Sequence, residues 1–233
     1  MTSDAPHLAR LLDSRHSCRA FLPDQVPLAD LQAILRQARK APSSSNLQPG
    51  RFHVMSGAAL KSFTDALAAH AEQEKPEPPE YSYFPDPMPP FLHERRRGAG
   101  YALYQALGIE RRDIARRKAQ FAANYRFFDA PVGTVITIRR DMGAGCYLDL
   151  GMMVMALMLG AEERGYATCA IGAFSNYGRF IHAHLGLAED ELVVCGLAMG
   201  KRAGDHPVNR FRTDRAELAD YASFHGFEPG DGE

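Results

Sequence analysis

RHSCRAF, residues 15–21, sets two guanidinium groups and a hydroxyl at alternate positions, Arg15, Ser17 and Arg19, just ahead of Pro23. In an extended segment alternate side chains point the same way. The three polar groups then converge on one small region, with Phe21 available to anchor the segment on the core. Arginine forks match the oxygens of a doubly charged phosphate, and a hydroxyl fills the gap between them. Taken alone, the segment also reads as a solvated basic edge. The rest of the chain decides between the two.

Upstream, residues 6–14 have the pattern of a short amphipathic helix. Downstream, Leu28, Leu31, Ile34, Leu35 and Ala38 fall at helical spacing behind Pro27, and Ala41-Pro42 ends that helix because a residue before proline leaves the α region. SSSNLQPG, residues 43–50, is a small polar turn; residues 51–55 read as a strand and 58–72 as a helix. KPEPPEYSYFPDPMPP, residues 75–90, holds seven of the fifteen prolines, so it is neither helix nor central strand. Tyr81, Tyr83 and Phe84 are poor choices for a solvated tether. Arginine-rich helices are expected over 91–107 and 111–128. PVGTVITI, residues 131–138, reads as a buried strand, followed by an apolar helix at 147–164. GYATCAIGAF, residues 165–174, is a strand ending in a small-residue turn; 176–185 looks helical and 191–200 is another strand. A basic extended tail precedes a short helix at 216–224. Without repeats or a clean linker, one α+β domain spans 1–233, carrying an insert at about 75–128.

The bulk composition narrows the classes. The 233 residues suffice for a sizeable core, and 45% hydrophobic with 24% charged residues is ordinary for a soluble globular protein. A net charge of −1 gives no field for nucleic acid or an anionic membrane. The N-terminal stretch lacks the apolar run of a secretory signal. The most apolar stretch, residues 148–161, is shorter than the ~20 residues of a membrane span and is flanked by charges. Such a helix belongs in a large core or a subunit interface. The four cysteines form no CxxC pair, which argues against zinc and points to reduced thiols in a cytoplasmic protein.

No GxSxG, HExxH, P-loop or GxGxxG is present, and the nine histidines are scattered. Chemistry carried by a cofactor fits that lack. The binding candidates are RHSCRAF, the amide-rich turn PSSSNLQPG, the glycine turn AIGAF and the basic tail NRFRTDR. Two basic segments at opposite ends of the chain suit one phosphate. Asn46 and Gln48 both donate and accept, as reading the edge of a heterocycle requires. Backbone N–H groups at Gly172 and Ala173 can approach a planar ring. Together these describe a mononucleotide with a polar ring, and FMN fits best.

The order of these segments resembles the FMN-dependent nitroreductase family, and the insert and the ending VNRFRTDRAELADYASFHGF resemble its nitrobenzoate-reductase-like branch. The resemblance implies a mixed or antiparallel sheet flanked by helices, in a homodimer with FMN at the interface. It implies that Arg15, Ser17 and Arg19, with Arg212 and Arg215, hold the ribityl phosphate; Arg210 is an alternative for the tail contact. Pro42, Ser43, Ser44, Asn46 and Gln48 would reach the flavin, from the partner subunit. Gly172 and Ala173 would present N–H groups to N5, and Asn124 would touch the ring. No side chain is assigned a catalytic role. The implied reaction is ping-pong: NADPH or NADH reduces the flavin and leaves, and a nitroaromatic takes its place, giving nitroso and hydroxylamine products. We expect the insert to cover the pocket, with Tyr81, Tyr83, Phe84, Tyr101 and Tyr104 facing an aromatic ring and an arginine pairing with a substrate carboxylate.

Two departures bear on substrate shape. Gly50 stands where many relatives carry Trp, in a chain with no Trp, and Ile171-Gly172-Ala173 lacks the acidic residue or second glycine common in that turn. The same scaffold admits reduction of quinones, free flavins or enones, and dehalogenation. A non-catalytic FMN-binding protein is the alternative from another class.

Overall fold

In the computed structural model, which describes residues 6–78 and 80–227, four strands form one sheet. They are β1 (Arg51–Ser56), β2 (Val132–Arg139), β3 (Ala167–Ile171) and β4 (Glu191–Gly200), in the order β1-β2-β4-β3, every named pair antiparallel. The parallel component is one isolated bridge, Ser17 to Thr168, at the free edge of β3. The chain then crosses to the end of β4, where Phe21 bridges Arg202.

Alternation along the strands sends side chains to two separate cores. Val132, Ile136 and Ile138 of β2 and Leu192, Leu197 and Met199 of β4 pack under α2 (Leu28–Ala38) and α6 (Ala144–Glu163). On the other face Val135, Val193 and Ala198 meet α3 (Gly57–Gln73), α7 (Gly178–Leu185) and an aromatic group built on Phe63, Phe127 and Phe174. β2 and β4 shift register so that Ile136 faces Cys195 while Thr137 faces Val193, which leaves Val194 as an extra residue, a β-bulge.

Helix α1 (His7–Ser14) and the two helices of the insert, α4 (Pro90–Ala106) and α5 (Ile114–Ala122), complete the helices of the described residues. The expected helix over 111–128 stops early. From Ala123 to Asp129 the chain is 3₁₀-like, and Phe127, Phe128 and Asp129 have φ of 51°, 54° and 55°. This left-handed turn carries Phe127 and Phe128 into the core, where both are buried. The expected helix at 216–224 is only a 3₁₀ turn, Leu218–Asp220, because nothing there is buried to hold a longer one. Helix α6 is longer than its apolar run: at 20 residues it meets the length of a membrane span. Its Asp149 is nevertheless buried, accepting the Ser44 N–H at 3.0 Å, and Met153, Leu157 and Ala161 pack in the core with α2.

Candidate active site

The N-terminal segment leaves α1 at Arg15, whose backbone turns to ψ 120°. From there burial alternates: His16 and Cys18 point inward, while Arg15, Ser17 and Arg19 are half-buried on the outer side. Cys18 N–H donates to the Thr168 carbonyl at 3.0 Å, which holds the segment against β3. The tail returns to the same place. Asn209, 3% exposed, accepts the Arg19 N–H at 2.9 Å and donates to the carbonyls of Ala20 and Ala203 at 2.8 and 2.9 Å.

The result is a cavity of about 440 Å³ lined by Arg15, His16, Ser17 and Arg19 from one end of the chain and Arg212, Thr213 and Arg215 from the other, with Ala99, Gly100 and Leu103 of α4 across its mouth. Four guanidinium groups face it against one carboxylate, Asp13. Arg15 Nε is buried without a hydrogen-bond partner among the described residues. Among the described residues Arg212 and Arg215 bond to nearby oxygens of the tail, including Asn209 O and Thr213 O, each at 3.0 Å, and neither meets a carboxylate. A buried polar donor left open among cations is the mark of an anion site. These donors fit the phosphate end of FMN. Arg210 lies outside this cavity, 3.8 Å from Asp205.

His16 is not part of that positive charge. Burial pushes its imidazole below the ordinary value, against the hydrogen bond to the Ser14 carbonyl, and the Arg202 and Arg212 charges push it the same way. It is therefore neutral at pH 7. Arg202 is bound by Glu162, donating from Nη2 to both carboxylate oxygens at 2.9 and 3.1 Å.

Gly172 and Ala173 stand at the far end of β3, four residues beyond the Ser17–Thr168 bridge, or roughly 13 Å along a strand. Tyr83 covers this turn: a Cβ on Gly172 would lie 2.7 Å from its ring. The polar turn lies elsewhere. Ser44–Asn46 is a 3₁₀ turn on α6, with Gln48 Nε2 donating to Asn46 Oδ1 at 3.0 Å and Ser43 Oγ accepting the Gln48 N–H at 2.9 Å. Pro42, Ser44, Asn46 and Gln48 are exposed and do not line the arginine cavity. Asn124 also lies apart, donating to the Phe121 carbonyl at 2.7 Å.

The insert divides. The Tyr83 and Phe84 rings lie 4.9 Å apart, tilted by 58°, and Arg96 lies 5.5 Å from the Phe84 ring. Tyr101 and Tyr104 instead border a separate hollow beside Arg117, which stacks on Tyr104 at 4.5 Å. Sequence reasoning missed Asn209 and the α4 wall. A lone Asn carries no motif, and Ala99 and Gly100 matter only through where the helix lies.

A family model described as the nitroreductase family matches residues 12–201. The chain belongs to the nitroreductase family. Among relatives, it is 35% identical to a chloronitrobenzene nitroreductase of Comamonas testosteroni, over 94% of this chain and 97% of the relative. It is 33% identical to a 4-nitrobenzoate reductase of Pseudomonas putida, over 92% and 94%. Among solved structures, an FMN- and NADPH-dependent nitroreductase, NfnB from sphigopyxis sp. strain HMH, superposes with a TM-score of 0.92 at 37% identity, covering 95% of this chain and 100% of that one. The FMN-dependent nitroreductase NfnB of Mycobacterium smegmatis, solved with NADPH, gives 0.87 at 32% identity, covering 94% and 97%. The family match takes in Arg15, Ser17 and Arg19 of this nitroreductase and stops before Arg212 and Arg215.

Proposed function

We propose that this nitroreductase binds FMN and uses NADPH or NADH to reduce nitroaromatic compounds of the nitrobenzoate and nitrobenzene class. The observation that carries this is the cavity where both ends of the chain bring arginines together around the open Nε of Arg15. When bound, FMN supplies two-electron redox chemistry, linking hydride removal from the nicotinamide to reduction of the nitro group.

The residues of the chain bind and orient. Arg15, Arg19, Arg212 and Arg215 neutralise the phosphate, and Ser17 donates its hydroxyl between them. A ligand held here and also at the Gly172–Ala173 turn must be elongated and must lie along β3, as a ribityl chain would. Gly172 lets a planar ring approach the backbone, and the N–H groups of Gly172 and Ala173 orient it. Pro42, Ser44, Asn46 and Gln48 are exposed, and neither they nor the half-buried Ser43 line the arginine cavity, which supports their serving the site of a second copy. Leu47, 53% exposed in that turn, and Leu148, 69% exposed on neighbouring α6, form an apolar surface suited to the dimer contact. Four free thiols and the need for reduced nicotinamide support a cytoplasmic setting.

Arg96, beside Phe84 and Tyr83, is placed to pair with a substrate carboxylate. Arg96→Ala should raise KM for 4-nitrobenzoate about tenfold relative to nitrobenzene, measured by steady-state kinetics with both acceptors. The reading as a whole is tested by supplementing purified protein with FMN, desalting it, and recording its visible spectrum anaerobically. A retained flavin band that bleaches with NADPH or NADH and returns with 4-nitrobenzoate supports it. A colourless protein overturns the cofactor assignment.

A further inference from the structure

Gly172 and Gly178 bracket the turn that joins β3 to α7. Neither has a left-handed φ, so conformational freedom does not explain them; space does. A Cβ on Gly172 would lie 2.7 Å from the Tyr83 ring, and one on Gly178 would lie 2.9 Å from Glu80 Oε2. Both intruders come from the proline-rich strap. Two more contacts fasten that strap to the same place. Glu77 receives the N–H groups of Arg179 and Phe180 at 2.8 and 3.1 Å, capping α7, which has no side-chain cap of its own, while its own N–H donates to the Asn176 carbonyl at 2.7 Å. Tyr81 donates its hydroxyl at 2.6 Å to the carbonyl of Val194, the bulged residue of β4. Glu80 Oε1 accepts from Arg140, and its Oε2 is buried without a partner among the described residues. A carboxylate held in so costly a position implies a role beyond solvation.

We propose that Glu77 and Glu80 are positioning residues that register the strap on the turn from Gly172 to Gly178, keep Tyr83 on Gly172, and so limit the size of acceptor that reaches that backbone. The acceptor part rests on the assignment of Gly172 to the flavin ring; the fastening part does not. Alanine at 178 favours helix over glycine and meets only the far end of a flexible side chain, so Gly178→Ala displaces Glu80 without opposing α7.

Hydrogen exchange on FMN-free protein is measured at the amides of residues 77, 179 and 180, whose bonds join the strap to the turn, in the wild type, Gly178→Ala, Glu77→Ala, Glu80→Ala and Glu80→Gln. Exchange about tenfold faster in the first three variants is expected, the factor set by one lost charged hydrogen bond. Glu80→Gln keeps an oxygen for Arg140 and should recover part of the protection. With FMN bound, the ratio of KM for a bulky nitroaromatic to KM for nitrobenzene should fall about fivefold in the loosened variants. Unchanged exchange in all of them overturns the fastening. Faster exchange with an unchanged KM ratio overturns the positioning role. Failure of the wild type to retain FMN overturns the acceptor filter together with the cofactor reading, and leaves the exchange result to decide the fastening.

Discussion

The amide of Asn209 receives the Arg19 N–H and donates to the carbonyls of Ala20 and Ala203, tying the first basic segment to the tail. Asn209→Ala strands the Arg19 N–H, while the Ala20 and Ala203 carbonyls keep the N–H groups of Ala203 and His206, and should cost about 1–3 kcal/mol of stability in urea denaturation while loosening the cavity it does not line. Glu191 is a second buried polar residue with a measurable consequence. Burial alone pushes its carboxyl up, but hydrogen bonds from Thr137 and His53 and the charges of His53 and Arg51 outweigh burial and hold it below the ordinary glutamate value. A group depressed in the folded state contributes stability that is present above its unfolded value, 4.5, and is lost as pH falls through the folded one. Glu191→Gln should therefore lower the urea midpoint at pH 7 and flatten its decline below pH 4.5, the reference for this carboxyl. Of these residues, Arg15, Ser17 and Arg19 were legible because alternate spacing is a property of the backbone. Asn209 was not, because its partners are chosen by tertiary geometry.

The strands and most helices follow their patterns, and the exceptions have physical causes. Phe121, Tyr125 and Phe128 are spaced like one face of a helix, yet the helix ends at Ala122, because burying Phe127 as well as Phe128 requires the backbone to reverse. The cavity for Phe127 is made by glycines: a Cβ on Gly133 of β2 would lie 2.5 Å from its ring and one on Gly196 of β4 would lie 3.0 Å from it. Gly133→Ala should destabilise by about 1–3 kcal/mol through overpacking, read as a lowered thermal midpoint. Such reciprocity between Phe127 and a glycine as distant in sequence as Gly196 of β4 leaves no local mark. The same is true of the strap, whose prolines announced the absence of regular structure but not the two glycines that receive it.

For the whole molecule, the four strands and most helices were readable from strand period and helix spacing, whereas the sheet flanked by helices came only with the resemblance to a known family. The placement of the polar turn was harder to read, because its use depends on a surface that a single chain leaves open. Leu148→Glu places a charge in the proposed contact. Light scattering should find the wild type as a dimer and the variant shifted towards monomer, with weaker FMN retention by the variant at equal concentration. A dimer unaffected by this charge would move the contact away from α6.

The arginine cavity is closed by residues 15–19 and 209–215, so its two halves are synthesised almost a whole chain apart. On a ribosome the antiparallel β1–β2 pairing and much of both cores can form while the N-terminal segment still lacks the tail that locks it. On the proposed assignment of this cavity to the flavin phosphate, cofactor loading is expected as a late event of biosynthesis. Nascent or prematurely stopped chains are then expected to be colourless, so that flavin uptake would mark the release of the finished polypeptide.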